Sequence, residues 1–365
     1  MTKSFQEAGL IIFHSHQKFK LISIKIIIIY CNYNKNKMLN SLLSMQSLAK
    51  YTNTSTTPTF PIKLLGQSTN TTSTLVNAVP TVCINCSSDG LNIFIGIDGT
   101  VNSKYGVYKS SNSGSSFSSL ISTSNPYRNI AMSSNGQYVY ITSNSPAYLY
   151  YSSNYGTSFT QSSVGSNISG LACDSTGQNV FLLDWSAGYI WKSSNYGVSF
   201  TKITSAGGVN IANLCYSSST NKLYYCSSSS GYVYIYNLNN STYVSYKPGS
   251  GINCSGTAVS SDGQHIYICY SIVTSNQVYY SSNGGSSWSS VSLGSVAGQA
   301  YIYCSSDGQY VYKAVNNILW YSSNFGVNWS SITYSQFNSG GMSIALNSTG
   351  NYLFLYSSLG YLIST

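Results

Sequence analysis

Ser152-Ser153-Asn154-Tyr155-Gly156-Thr157-Ser158-Phe159 is one of five near-copies of a single phrase; the others are Ser110–Phe117, Ser193–Phe200, Ser281–Trp288 and Ser322–Trp329. A second phrase, roughly Ser-Asp-Gly-Gln-aromatic-Val-Tyr, interleaves with it and places glycines at Gly90, Gly136, Gly177, Gly263, Gly308 and Gly350. In the fourth unit the stretch Ser218-Ser219-Thr220-Asn221, followed by Lys222-Leu223-Tyr224, holds the slot where that glycine would fall. The spacings are then about 46, 41, 44, 42, 45 and 42 residues, the period of four-stranded propeller blades. The count predicts seven units.

Within a unit the strands are short, rich in β-branched and aromatic residues, and bounded by Ser, Asn and Gly. The third unit reads as strands at Ile168–Cys173, Val180–Leu183, Tyr189–Lys192 and Ser199–Ile203. No segment of the repeat region sustains a 3.6-residue apolar period, so the fold class is all-β. The blades are expected at about 80–121, 126–162, 166–204, 209–247, 252–292, 298–333 and 339–365 plus 59–65.

Each of the five phrases falls between a third and a fourth strand. Its Asn side chain can accept from backbone N–H groups of the turn, its Gly can take a positive φ, and its Phe or Trp anchors the next strand. The phrase resembles the Asp-box, or BNR, repeat of sialidase-like β-propellers, Ser-x-Asp-x-Gly-x-Thr-Trp. Asn112, Asn154, Asn195, Asn283 and Asn324 stand where that family has Asp, and Gly114, Gly156, Gly197, Gly285 and Gly326 match its glycine. Asn offers the same acceptor, so the box is expected to be a structural staple. The resemblance implies a ligand site on the opposite face.

The seventh unit stops inside its third strand at Tyr361–Thr365, while Thr59–Leu64 mimics the fourth strands elsewhere. The expectation is a seven-bladed propeller whose last blade is completed by Phe60–Leu65, with Pro61 tolerated on an outermost edge strand. Residues 58–365 then form the propeller and 1–57 an irregular low-complexity tail.

Charge separates the two regions. Before Leu64 there are eight lysines against Glu7, a balance of +7; the remainder has seven lysines and Arg128 against six aspartates, a balance of +2. Any affinity for phosphate or anionic lipid would belong to the tail, and nucleic acid is not an expected partner of the propeller. In the tail, Lys18, Lys20 and Lys25 break the apolar stretch Leu10–Cys31 and leave Ile26–Cys31 too short to span a bilayer. Two readings stand: a signal peptide or anchor, or a poorly structured lead with Met38 as the working start.

Cys86, Cys173 and Cys304 each lie four residues before a turn glycine, where other units hold Met132, Val259 and Leu346, and Cys215 fills that slot in the fourth unit. A position shared by Cys, Met, Val and Leu is an apolar inner-strand site. Only Cys83-Ile84-Asn85-Cys86 has Cys-x-x-Cys spacing, with no second pair to complete a metal site. No metal or cofactor is expected, and an intracellular or virus-associated monomer fits better than a secreted protein.

The inventory weighs against the enzymes that the resemblance suggests. A sialidase needs three arginines and a glutamate beside its tyrosine; this chain has one arginine, Arg128, and its only glutamate is Glu7. Asp89, Asp174, Asp262 and Asp307 lie in or beside turns. Asp98 and Asp184 end second strands, but in separate units, farther apart than paired carboxylate chemistry allows. His14 and His16 lie in the tail, and His265 is expected on a surface. What remains is a loop face with Asp98, Lys104, Tyr127, Arg128, Asp184, Trp185, Tyr246 and Lys247, together with Tyr270, Gln336 and Phe337. Aromatics among a few charges suit a protein partner or a glycan, and the same residues also fit ordinary solvated loops. The expectation is a non-enzymatic binding or structural module; the alternative is a carbohydrate-binding protein or degenerate glycoside hydrolase.

Overall fold

A computed structural model describes residues 81–98, 106–121, 126–143, 147–164, 168–185, 188–205, 211–249, 254–270, 276–296, 298, 300–334, 342–357 and 362–364. The chain divides into two compact units, Met1–Pro61 and Ile62–Thr365, and every described residue lies in the second.

The repeat becomes a series of antiparallel meanders. The first sheet runs β1 (Thr81–Cys86), β2 (Ile93–Asp98), β3 (Gly106–Ser110) and β4 (Ser118–Ile121); the second runs β5 (Tyr127–Met132), β6 (Val139–Ser143), β7 (Tyr148–Ser152) and β8 (Thr160–Ser163). The third holds β9 (Ile168–Cys173), β10 (Val180–Asp184), β11 (Tyr189–Ser193) and β12 (Thr201–Ser205); the fourth β13 (Ile211–Ser217), β14 (Lys222–Ser227), β15 (Val233–Asn237) and β16 (Thr242–Tyr246). The fifth is built from β17 (Cys254–Val259), β18 (Ile266–Tyr270), β19 (Gln277–Ser281) and β20 (Ser289–Ser292); the sixth from β21 (Ala300–Cys304), β22 (Val311–Val315), β23 (Ile318–Ser322) and β24 (Ser330–Thr333).

The last repeat corrects the expected count. Its sheet has three strands, β25 (Met342–Leu346), β26 (Leu353–Ser357) and β27 (Leu362–Ser364), so the described residues form six four-stranded blades and a smaller sheet in place of seven four-stranded blades. A fourth strand there would have to come from elsewhere in the chain, and no described residue supplies one; Phe60–Leu65 and the 1–57 tail lie outside the described residues.

The first strands are neighbours in the cyclic order β1, β5, β9, β13, β17, β21, β25 and back to β1. Backbone hydrogen bonds between the turns that follow them run the same way: Ser88 N–H to Ser134 O (2.8 Å), Ser134 to Ser175 (2.8 Å), Ser261 to Ser306 (2.7 Å), Ser306 to Ser348 (2.8 Å) and Ser348 back to Ser88 (3.2 Å). The Ser348 hydroxyl adds a second bond to Ser88 O at 3.0 Å.

The core lies between sheets. Second strands are covered on both faces, so β6, β10, β18 and β22 are buried along their whole length and read as apolar runs rather than alternating ones. Fourth strands are edges and are largely exposed, as in β8 and β24. The second position of six second strands carries a buried ring, Phe94, Tyr140, Phe181, Tyr267, Tyr312 and Phe354, and in β14 Tyr224 does so at the third. Where that ring is Tyr140, Tyr267 or Tyr312, its hydroxyl donates to a carbonyl in the next sheet's turn, to Gly177 O (2.5 Å), Gly308 O (2.7 Å) and Gly350 O (3.2 Å) respectively.

Lys313 is the exception to the apolar pattern, fully buried on β22 at a position held elsewhere by Ile95, Ile141, Leu182, Ile268 and Leu355. Its ammonium reaches the preceding sheet, donating to Asn276 Oδ1 and to Gln277 O at 3.3 Å. Burial lowers its pKa, since a charge in the interior needs such partners.

Candidate functional site

The five boxes share one hydrogen-bond pattern. In the second sheet the Ser152 hydroxyl donates to Asn154 Oδ1 (2.9 Å) and accepts from Gly156 N–H (2.9 Å), while Asn154 Oδ1 also accepts from Ser158 N–H (3.0 Å). Asn154 Nδ2 donates to Ser158 Oγ at 2.9 Å. Asn112, Asn195 and Asn283 repeat all of this. Asn324 repeats the accepted bonds, from Asn328 N–H and the Ser322 hydroxyl. The box glycines have positive φ, Gly156 at 75° and Gly285 at 91°. At Gly156 an added Cβ would also stand 2.6 Å from the Phe94 ring. The boxes therefore fasten each third strand to its fourth and leave the Asn side chains occupied.

Box turns and first-hairpin turns share one face, because the fourth box residue donates its N–H to the hairpin turn of the same sheet: Tyr155 to Gln137 O, Tyr196 to Gln178 O and Phe325 to Gln309 O. The aspartates of that face are turn formers. Asp89 accepts from the Ser87 hydroxyl (2.5 Å) and Leu91 N–H (2.9 Å), and Asp262 and Asp307 do the same from Ser260 with Gln264 and from Ser305 with Gln309. Asp174 accepts from Thr176 and Asn179. His265 is half-buried, stacked on Phe325 with centroids 4.6 Å apart.

The opposite rim is organised by β-bulges. In β5, β9, β13 and β17 the register against the second strand slips at one residue, leaving Arg128, Ser169, Asn213 and Ser255 without a partner across the ladder. All four stand four residues before their strand's end, so they lie at one level on four consecutive first strands. Bulges re-aim side chains and concentrate beside binding sites. Ser169 and Ser255 turn their hydroxyls onto carbonyls of the adjacent second strand, Leu183 O (3.4 Å) and Cys269 O (3.3 Å), and Asn213 reaches Thr257 O in the next sheet at 2.8 Å. Arg128 is exposed. Its positive charge is felt by Tyr301 on β21, whose phenol is raised by burial and by Cys83 and lowered by Arg128.

The expected site residues separate on this rim. Tyr127 is fully buried against Tyr150, centroids 5.8 Å apart, and Tyr270 is buried with its hydroxyl on Gly231 O at 2.8 Å, so neither ring offers a face to a partner. Asp184 is buried at the end of β10, while Trp185 beside it is 43 % exposed. In the next sheet Tyr246 is half-buried with its ring 6.2 Å from Trp288, and the exposed Lys247 holds its ammonium 5.5 Å over the Tyr232 ring. Asp98 ends β2 opposite Thr81; Lys104, Gln336 and Phe337 lie outside the described residues. Tyr232, Tyr301 and the three other bulge residues were not among the sequence candidates. Their signal is one extra residue in a first strand relative to its second, which appears only once the two are paired.

The eight described cysteines carry free thiols. Cys86 is pushed up to about 12 by burial and then by Asp89, and Cys215 to about 12 by burial and then by Cys226, so these thiols are poor nucleophiles and poor metal ligands. Among the described residues no group of three or more His, Cys, Asp or Glu side chains could hold a metal, and no helix is long and apolar enough to cross a membrane.

These features define the class of the molecule: a β-propeller. Solved structures agree on the fold. The chain is similar to YCF48 bound to D1 peptide (13 % identity, 80 % of this chain and 94 % of that one, TM-score 0.59) and to a chain of the mitotic checkpoint complex (11 %, 80 % and 91 %, 0.63). It is also similar to the GH74 xyloglucanase from Xanthomonas campestris (12 %, 78 % and 51 %, TM-score 0.64), spanning about half of that enzyme's length. No family model and no curated protein matches the chain.

Proposed function

We propose that the chain is a non-enzymatic β-propeller of the Asp-box type that docks a protein partner on the rim opposite the boxes. The observation that carries this is the arc of four in-register bulges with the one arginine of the chain, Arg128, exposed in it. An exposed guanidinium and an exposed tryptophan, Trp185, on one rim are the kind of anchors that protein interfaces favour. A similar propeller, YCF48, has been solved with a D1 peptide bound. Catalysis is disfavoured by inventory, because Asp89, Asp174, Asp262 and Asp307 are held in turns and Asp184 is buried.

The second reading, a glycan-binding protein or degenerate glycosidase working from the same rim, is favoured only by the exposed Trp185. One preparation tests both. A photo-crosslinker at position 185 is expected to capture a defined protein whose binding weakens at least tenfold in Arg128→Ala at unchanged Tm. Turnover of aryl glycosides that disappears in Asp184→Asn would overturn the proposal.

A further inference from the structure

We propose that the box face, independently of the opposite rim, carries three equivalent sites for neutral saccharide chains, each pairing an aromatic ring with a glutamine amide: Tyr155 with Gln137, Tyr196 with Gln178 and Phe325 with Gln309. In each pair the aromatic residue's N–H donates to the glutamine's carbonyl, at 2.9, 3.1 and 3.0 Å respectively, which holds the two residues next to each other at the backbone. The rings of Tyr155 and Phe325 are 43 % and 38 % exposed and that of Tyr196 is half-exposed. The three glutamine amides make no side-chain hydrogen bond among the described residues.

The turn does not require those rings. Tyr155, Tyr196 and Phe325 sit at φ of 58°, 59° and 59°, a left-handed conformation that costs a bulky residue about 1 kcal/mol or more. The same position holds Ser113 and Gly284 in the other two boxes, at φ of 54° and 66°. Aromatic rings therefore persist where smaller residues serve the fold equally well. Two of them are also held in a fixed plane from beneath: Tyr196 stacks on Tyr138 of the preceding sheet (centroids 4.4 Å apart, 25° between planes) and Phe325 on His265 (4.6 Å, 28°).

Chemistry selects the occupant. An oriented ring takes the C–H face of a sugar and a free amide bonds its hydroxyls. Asp174 and Asp307 sit in the turns that carry Gln178 and Gln309, so acidic sugars and nucleic acids meet carboxylates at those two pairs; at the third, Asn135 takes the turn position and the Lys109 ammonium donates to Tyr155 O at 2.6 Å. The rings come one to a sheet rather than as a contiguous apolar surface, which suits a repeating polymer binding several small sites by avidity better than a protein interface.

The test is an array of immobilised neutral and sialylated oligosaccharides, probed with the full chain and with Tyr155→Ser/Tyr196→Ser/Phe325→Ser, a variant that installs what Ser113 already provides. The expected result is binding to at least one neutral oligosaccharide, weakened tenfold or more in the triple variant at a Tm within a few degrees, and less in each single variant. Binding confined to acidic glycans, no binding at all, equal binding by the triple variant, or loss in Trp185→Ala instead would each overturn the proposal. A protein crosslinked at position 155 with no saccharide bound would overturn it as well.

Discussion

Asn154 shows what a single box residue contributes. Its Oδ1 accepts from Ser158 N–H and the Ser152 hydroxyl, and its Nδ2 donates to Ser158 Oγ. Aspartate keeps both accepted bonds, and the Ser158 hydroxyl can reverse to donate the third. Asn154→Asp is therefore expected within about 0.5 kcal/mol of the parent, whereas Asn154→Leu loses all three bonds and costs about 1–2 kcal/mol. Urea midpoints of the two variants check this, and equal midpoints would contradict it. At this scale the sequence was easy to read, because Ser, Asn and Gly at fixed offsets have few other uses than a turn. The left-handed aromatic residues were not, since the box pattern leaves its fourth position open to any residue and does not announce that Tyr155 there takes a φ of 58°.

Strands were legible where burial on both faces produces apolar runs: Ile168–Cys173 falls where expected, and β10 runs one residue past its expected end. The fourth strand, expected at Ser199–Ile203, begins at Thr201 because Ser199 is held back in the turn by Asn195. Tyr127 went astray for a different reason. A bulge at Arg128 reverses the two-residue alternation, putting Tyr127 with Ile130 in one core cluster although three residues separate them. Between sheets, the Tyr267 hydroxyl on Gly308 O is a bond that its phenylalanine counterparts Phe94 and Phe181 cannot make. Tyr267→Phe leaves that carbonyl without its donor and is expected to cost about 1 kcal/mol in the same denaturation series.

For the molecule as a whole, buried phenols and thiols outnumber buried carboxylates. Burial raises Tyr140, Tyr225, Tyr267, Tyr270, Tyr303, Tyr312 and Tyr356 well above the usual phenol range. Their neutral forms stabilise the fold fully below the unfolded-state value near 10, and that stability drains as pH rises, because the unfolded chain ionises first. The loss approaches about 1.4 kcal/mol per group per pH unit, so a handful suffices to unfold a domain. On the acid side Asp262 is lowered: its slight burial acts upward, but the Ser260 hydroxyl, Gln264 N–H and His265 outweigh it. It is exposed, and its contribution fades only as pH falls below the usual carboxylate range. Stability is expected to be flat from about pH 5 to 8, to decline as the unfolded chain's thiols ionise at about 8.5 while the buried ones stay protonated, and to collapse between about 10 and 11, a profile that denaturation at fixed pH values would reveal; a midpoint unchanged at pH 11 would contradict it. The propeller itself followed from the repeat period, and so did a last unit with only three strands of its own; the fourth strand assigned to Phe60–Leu65 lies outside the described residues, which leave that sheet smaller than the rest.

Among the described residues the chain crosses every seam between neighbouring first strands except the one between β25 and β1, where Ser348 meets Ser88. Mechanically the molecule is a split washer. Tension across any other seam loads covalent backbone, whereas among the described residues tension across this one meets only non-covalent contacts: one amide and one hydroxyl on a single carbonyl, and the packed side chains of Ile84, Ile93, Ala345 and Phe354. The ring is therefore expected to spring open there first.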